Sequence, residues 1–444
     1  MIPKGERVQG DRSYGHGRRL KVRSWYVLSP MSVRWSVSPL IFSVVCLLFI
    51  GGCVDPDADS PSQITGGERE GDRAGSLEDG AVVSDGMMSD QPAGEEPAGT
   101  SGAGDELAPY PQPPTMVSIA TYNVQNLFDF VDDPDHEEGE YTPNVANWSR
   151  GTYNAKINAL AEAILWIDAD IIALQEVESE AALTDLAGAI ERLGGRRYQH
   201  RATSSTRDPR GIALGVLSIH PITREIGRPI NETVSCAGGE TLDGSRPEAR
   251  PIYEVNLWSD GSGSGRGGGP DSLTLLVNHW KSRASGDYPC RVAEHQLRGA
   301  RQLNTLLTTW LLDDPTRSVL VLGDFNATDS EPALSSELDA YLDPAALPRP
   351  SSLYNLWGEV GVRLGDRANA TTASYRYEGQ WFRLDHIFTA QTSLTQGLGR
   401  WALERFELIR PPELLRDGAP HSWSNRRQQG YSDHLPLKVT LRRR

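Results

Sequence analysis

Short apolar runs in this chain keep ending on side chains that a protein core cannot hold unpaired. Val117–Tyr122 runs into Asn123, and Asp170–Leu174 runs into Gln175-Glu176. Leu273–Val277 runs into Asn278-His279, and Ser318–Gly323 runs into Asp324-Phe325-Asn326. Near the C-terminus, Leu384-Asp385-His386 and Ser432-Asp433-His434 adjoin two further apolar runs. The runs are short and either alternate or stay apolar throughout, as strands do. A lone buried carboxylate costs several kcal/mol unless it is paired or bound to a cation. A chain that puts one at strand end after strand end must therefore bring those ends together. The pattern demands sheets that converge on a single polar site.

Between the strands the spacing turns helical. Ile157, Leu160, Ala161, Ile164 and Leu165 predict a helix over 155–167, and 181–193 and 291–312 predict two more. Further strands are expected at 211–218, 252–258, 383–389, 406–409 and 435–441. A Gly/Ser-rich stretch, Gly261 to Pro270, reads as a flexible hairpin connector between the strands at 252 and 273. Many strands with few helices predict an α/β fold, two sheets face to face with helices outside. Eleven Trp and 38% hydrophobic residues suffice for a large core.

The formal charge of −15 is uneven along the chain. Residues 1–52 carry 8 basic and 2 acidic side chains, 53–115 carry 2 and 14, and the body from 116 stands at −9. An acidic body argues against non-specific, charge-driven nucleic-acid binding, which needs Lys and Arg to displace counterions. It suits an enzyme whose bound cations offset clustered carboxylates. Arg18, Arg19, Lys21, Arg23 and Arg34 precede an apolar stretch from Leu40 to Ile50, which ends at Gly51-Gly52-Cys53. That stretch is shorter than the ~20 residues of a membrane span, so 1–52 reads as a signal peptide. The long basic segment makes Met31 a second candidate start. Ile50-Gly51-Gly52-Cys53 resembles a bacterial lipobox, with Cys53 as the lipidated first residue; an ordinary signal peptide that happens to contain Cys is the alternative. Residues 53–115 cannot bury enough apolar surface to offset their ordering entropy and are expected to be a disordered acidic tether. The body is assigned to 116–444. In an exported chain Cys236 and Cys290 are a candidate disulfide that would contribute ~2–4 kcal/mol and clamp the hairpin between them. Two unpaired buried thiols are the alternative.

Carboxylates and amide oxygens are hard ligands suited to Mg²⁺, Mn²⁺ or Ca²⁺, and neutral His supplies proton chemistry. Cys/His spacing of the zinc type is lacking. The ordered set Tyr122-Asn123-Val124, Leu174-Gln175-Glu176, Asn278-His279-Trp280-Lys281-Ser282, Gly323-Asp324-Phe325-Asn326, Leu384-Asp385-His386 and Ser432-Asp433-His434-Leu435-Pro436 resembles the endonuclease/exonuclease/phosphatase (deoxyribonuclease I-like) superfamily. It is similar in particular to the predicted extracellular nucleases within it. Each motif alone is weak; six in family order, over 117–441, are specific. The resemblance implies a four-layer α/β sandwich, with the site at one end of two mostly antiparallel central sheets. It implies Glu176 as the main metal ligand, with Asn123 and Asp433 assisting and Mg²⁺ as the expected ion. His434 would be the general base, its ring held by Asp385. Asp324 and Asn326 would position the nucleophile and phosphate, and His279 would contact a phosphate oxygen or protonate the leaving group. Arg210 occupies a place where the family often puts a substrate-facing basic residue, and Lys281 is a second candidate phosphate contact. His386 is expected to point to the other face of its strand, and His136 to lie in a solvated loop.

The expectation is a monomeric, lipid-anchored, extracytoplasmic phosphodiesterase that cleaves DNA, with RNA as a second substrate. One rival keeps the chemistry and changes the substrate to a phospholipid, sphingomyelin or an inositol phosphate. That reading wants an exposed aromatic-apolar hairpin for membrane contact, which 261–270 lacks. The other rival is a non-catalytic surface binding lipoprotein, which would have lost site residues that are all in place here. The insert Phe130–Trp148 lengthens the first strand-to-helix connection and is expected to line or cover the cleft.

Overall fold

Two helical crossovers set the architecture of the computed structural model, which describes residues 112–230, 234–235, 241–242, 250–258, 271–283, 289–394 and 397–444. Strand β1 (Met116–Leu127) leads through helix α1 (Arg150–Ile167) to β2 (Ile171–Val177). Helix α2 (Glu180–Arg192), β3 (His200–Thr203), β4 (Ala213–Ser218), β5 (Ile222–Arg228) and β6 (Ile252–Leu257) follow. Then β7 (Leu273–His279) leads through α3 (Pro289–Asp313) to β8 (Ser318–Asp324). Strands β9 (Ala340–Tyr341) and β10 (Leu353–Asn355) precede a small hairpin of β11 (Tyr375–Tyr377) and β12 (Gln380–Phe382). Last come β13 (Asp385–Ala390), β14 (Trp401–Leu408) and β15 (Leu437–Arg443).

One sheet has the order β14-β15-β1-β2-β4-β3, the other β9-β10-β13-β8-β7-β6-β5. Most neighbours are antiparallel, but β1/β2, β7/β8 and the short pair β9/β10 are parallel. Parallel neighbours need a crossover, which α1 and α3 supply for the two long pairs. Each crossover leaves the carboxyl ends of its two strands side by side, so Asn123 pairs with Gln175, beside Glu176, and His279 pairs with Asp324. On its other side Asp324 pairs with Asp385 of β13. The topology thus gathers the strand ends.

Val117, Ile119, Ile171 and Val216 of the first sheet pack against Val255, Leu275, Leu320 and Leu322 of the second. Ile157, Leu160 and Ile164 of α1 cover the outer face of the first sheet at Tyr122, Ile172 and Leu174. Leu303 and Leu307 of α3 cover the second at Leu276, Val319 and Val321. This is a four-layer α/β sandwich. Serine caps start two of its helices: the Ser149 hydroxyl accepts from Thr152 N at 3.1 Å and the Ser179 hydroxyl from Ala182 N at 3.0 Å. The Ser149 cap starts α1 at Arg150, a full turn before its apolar stripe becomes visible at Ala155. Strands β3 and β5 have no apolar run to betray them. Both lie at sheet edges, and β5 carries Arg224, Glu225 and Arg228, as exposed edges do.

The insert from Phe130 to Trp148 is held by an aromatic stack. Tyr141 lies flat on Phe128 (centroids 4.5 Å apart, 9°) and meets Trp148 edge-on at 5.2 Å, and Trp148 meets Tyr153 of α1 at 6.1 Å. Trp148 is fully buried, and its indole N–H donates to the Asp129 carbonyl at 3.2 Å. Trp148→Ala should lower the unfolding free energy by about 3–5 kcal/mol. An unchanged urea midpoint would detach the insert from the cooperative fold. His136 lies in a turn of this insert, partly exposed, with its Nδ1 2.9 Å from Asp133 Oδ2 and its ring beside Gly211. Cys53, the tether up to 111, the 261–270 connector and Cys236 lie outside the described residues, and with them the lipidation and disulfide expectations.

Candidate active site

The ends of β1 and β2 are bent out of regular pairing. Their register shifts between Asn123 and Leu127, and that of β2 with β4 shifts between Gln175 and Val177. Gln125 (φ 52°), Asn126 (φ 58°) and Glu176 (φ 65°) all take left-handed backbone. Each such non-glycine residue costs on the order of 1–3 kcal/mol and persists only where its surroundings over-determine it. The surroundings here are hydrogen bonds to functional side chains. Asn126 N donates to Glu176 Oε2 at 2.8 Å, and Gln125 N donates to Asn123 Oδ1 at 3.0 Å. An irregularity of this kind re-aims a side chain, and here it aims Glu176 into the site. In the second sheet Gly323 has φ 138°, and a Cβ there would lie 1.9 Å from the Asn278 carbonyl oxygen. Only glycine lets β8 deliver Asp324 beside His279.

Asn123 spans the two sheets, its Nδ2 donating to Glu176 Oε1 (3.2 Å) and to Asp324 Oδ2 (3.0 Å). Asn326, also left-handed at φ 46°, donates to Asp324 from its backbone N (2.9 Å) and from Nδ2 (3.1 Å). His279 Nε2 lies 3.5 Å from Asp324 Oδ2 and 3.7 Å from Glu176 Oε1. His434 holds Asp385 Oδ2 with Nδ1 at 2.7 Å, and its Nε2 is 3.9 Å from Asp324 Oδ2. The turn before it is pinned by Ser432, whose hydroxyl donates to the Asn123 carbonyl at 2.6 Å. The Tyr375 ring leans on the His434 ring at 4.7 Å. Asp433 completes the group, within electrostatic reach of Glu176 and His434.

The electrostatics divide the site in two. Burial pushes the Asp324 carboxyl up to about 7, against the pull of His434. Desolvation, with Glu176 adding to it, raises Asp433. Burial works to lower His434, but Asp385 and Asp324 outweigh it and raise it well above the usual histidine range. Burial, then Arg250 and Arg210, hold His279 well below that range. His279 is therefore held toward its neutral form, while the two carboxylates draw His434 toward its protonated form.

Carboxyl groups pushed toward protonation are a donor set that a divalent cation would relieve. Asp324, Asp385 and His434 present ligand atoms within 4.8 Å of one another. Yet Asp324 already accepts three hydrogen bonds, and His434 Nδ1 is engaged by Asp385. Glu176 is more open, with 17% of its side chain exposed against 1% for Asp324 and Asp385. The more open Glu176, with Asp433 in its electrostatic reach, is left as one candidate donor set for a hard cation, beside the tighter Asp324–Asp385–His434 group. Asn123 turns its amide nitrogen to the carboxylates, so serving as a ligand takes a half-turn of that amide.

The structure brings Asn123, Glu176, His279, Asp324, Asn326, Asp385, Asp433 and His434 together. Arg210 sits at the rim, 42% exposed, with its guanidinium 3.2 Å from Asn126 Oδ1 and 3.3 Å from Asp208 Oδ2. Lys281 lies half-exposed two residues beyond His279, its carbonyl accepting from Gln296 at 3.2 Å. His386 faces away: its Nδ1 meets Asn355 at 3.1 Å, and its Nε2 lies 3.0 Å from the Ala327 and Arg383 carbonyls. Tyr141, Asn126 and Arg250 adjoin the site without having stood out in the sequence. So does Lys156, fully buried on α1, which donates to the Tyr431 carbonyl at 2.9 Å.

The family model described as "Endonuclease/Exonuclease/phosphatase family" matches residues 118–224 and 267–443, which contain every one of these candidate catalytic and metal-binding residues. A sequence search of curated proteins finds no match. Among solved structures the chain is similar to a humanized TDP2 of D. rerio carrying 14 mutations (TM-score 0.44, 14% identity, 74% of this chain and 99% of that one). It is also similar to an endonuclease/exonuclease/phosphatase family protein from Bacteroides thetaiotaomicron (TM-score 0.43, 15% identity, 74% and 95%). A third is TDP2 from C. elegans (TM-score 0.42, 15% identity, 74% and 75%).

Proposed function

The chain belongs to the endonuclease/exonuclease/phosphatase family, and from that premise we propose that it is an extracytoplasmic, divalent-metal-dependent nuclease acting on DNA, with RNA as a second substrate. The observation that carries the reading is the orientation of His434. Its Nδ1 is tied to Asp385 at 2.7 Å, which leaves Nε2 facing Asp324 and the interior of the cluster. A carboxylate on one ring nitrogen fixes the tautomer and makes the other a base.

In this reading the carboxylates that draw His434 toward its protonated form are offset by the bound cation. Nε2 of the neutral ring then takes the proton of the attacking water, and Asp385 stabilises the charge that results. Asp324 orients that water. The neutral ring of His279 donates to a phosphate oxygen or to the leaving oxygen. The amides of Asn123 and Asn326, whose N–H groups are engaged by Asp324 and its neighbours, hold the Asp324 carboxylate in place. A divalent cation, for which Glu176 and Asp433 are the residues that would hold it, supplies polarisation of the phosphoryl oxygens. Arg210 and Lys281 contribute positive charge for the substrate. Export is supported by the basic-then-apolar N-terminus, and a lipid anchor by Cys53 directly after it.

The test is a substrate panel under one set of conditions: supercoiled DNA, RNA, sphingomyelin and phosphatidylcholine vesicles, and an inositol phosphate, each with Mg²⁺ or Mn²⁺ and with EDTA. Metal-dependent nicking of DNA that stops in EDTA is the expected outcome. Turnover confined to the lipid or inositol substrates would move the enzyme to those substrates. No turnover of any would leave a binding lipoprotein.

A further inference from the structure

The turn that carries Asp433 and His434 follows an exposed stretch of chain. Arg426, Arg427, Gln428 and Gln429 face solvent, and the two reactive side chains come shortly after them. Three ties hold the backbone there. The Tyr431 carbonyl accepts from Lys156 Nζ at 2.9 Å, and the Ser432 hydroxyl donates to the Asn123 carbonyl at 2.6 Å. Beyond the pair, Leu435 N donates to the Ser374 carbonyl at 2.8 Å. The second tie reaches β1, and the first reaches α1, the crossover that sets β1 beside β2. Lys156 thus joins the turn of Asp433 and His434 to the same element that places Asn123 beside Glu176.

Helix α1 meets this segment at two other points. Thr152 Oγ1 accepts from Gln428 Nε2 at 3.1 Å, and Trp166 meets Tyr431 edge-on at 5.7 Å. Lys156 differs from both in carrying an ionisable group that is fully buried. A buried ammonium is costly, and an apolar side chain of similar volume often serves packing as well or better. The Trp423 ring lies 5.2 Å from the ammonium, and the Trp423 backbone N donates to Gln125 Oε1 at 2.7 Å. Burial works to discharge the amine, and the carboxylates that oppose it are those of Asp433 and Glu176. A lysine that is kept at such a cost, and balanced by these two groups, serves the site as well as the core.

We propose that Lys156 is a positioning residue of the site. Its bond to the Tyr431 carbonyl holds the turn from Ser432 to His434 against α1, and so keeps Nε2 of His434 at its working angle. Lys156 acts through this turn and not on the substrate. The catalytic consequence rests on the nuclease reading; the tether itself does not.

The test pairs Lys156→Met, which fills the space without a donor, with Lys156→Ala, which leaves room for n-propylammonium. In Lys156→Met, kcat for DNA cleavage with Mg²⁺ should fall by roughly 10–100-fold, the cost of an ångström-scale misplacement, while KM stays within about twofold. n-Propylammonium should restore turnover in Lys156→Ala and do nothing for Lys156→Met, where its place is taken. Hydrogen–deuterium exchange without metal or substrate reads the tether separately. Amides from Tyr431 to Leu435 should exchange faster in Lys156→Met, and those of β7 and β8 as before. A folded Lys156→Met protein with unchanged kcat overturns the proposal. So does a loss that falls on KM alone, or exchange at 431–435 that does not move. Should the unaltered protein cleave nothing, the nuclease reading falls, and exchange alone decides the tether.

Discussion

Replacing His434 with alanine should lower kcat for DNA cleavage by roughly 10²–10⁴-fold, the range that a positioned proton acceptor contributes. The basis is geometric. Two imidazoles face Asp324, His279 Nε2 at 3.5 Å and His434 Nε2 at 3.9 Å. His434 alone has a carboxylate, Asp385, on its other nitrogen, while Nδ1 of His279 has no hydrogen-bond partner among the described residues. Binding of the substrate depends on other groups, so KM should change far less than kcat. The variant also leaves the buried Asp385 carboxylate without its described partner, since its other oxygen, Oδ1, has none among the described residues. That loss is worth about 1–3 kcal/mol of stability and is expected in a urea melt. Added imidazole separates the two effects, because a small base that fits the vacated space restores turnover and does nothing for a misfolded chain. Cleavage that continues unchanged without His434 would remove the mechanism.

The convergence of this site was legible because its cause is local. A buried carboxylate needs a partner wherever it sits, so Glu176, Asp324 and Asp385 announce themselves at the ends of apolar runs. The two parallel crossovers were legible for the same reason, through the helical period of α1 and α3. What stayed hidden is what depends on distant pairing. Nothing in Gln125, Asn126 or Glu176 as residue types asks for left-handed backbone, and the bulges that impose it arise from how β1, β2 and β4 meet. Tyr141 reads as one aromatic in an acidic loop, since its partners Phe128 and Trp148 follow no period. Lys156 does leave a trace. It lies on the inward stripe of α1 with Tyr153, Ile157 and Leu160, where a lysine is kept only with a partner. That partner, the Tyr431 carbonyl, lies 275 residues away, and the Trp423 ring is 5.2 Å from the ammonium.

Glu176→Gln should weaken Mg²⁺ or Mn²⁺ binding by more than the roughly 10–100-fold that loss of an outer-shell partner costs, and activity should fall with it. Glutamine keeps the length of the side chain and an oxygen for Asn126 N, which now bonds at 2.8 Å, so the bent backbone at φ 65° should survive. The negative charge is removed, and with it the bond from Asn123 Nδ2 to Oε1 (3.2 Å), because the new amide nitrogen takes that position. Calorimetric metal titration of this variant beside Asp324→Asn decides between two donor sets. The rival set, Asp324, Asp385 and His434, has its ligand atoms within 4.8 Å of one another and an oxygen on Asp385 that has no partner among the described residues. Against it, Asp324 already accepts three hydrogen bonds, and one nitrogen of His434 is already engaged. Asp324→Asn should therefore cut turnover while disturbing metal affinity far less than Glu176→Gln does. The reverse result, with affinity lost only in Asp324→Asn, would seat the cation against His434. A ring nitrogen bound to a cation cannot accept a proton, so the large effect expected of His434→Ala would then need a different cause.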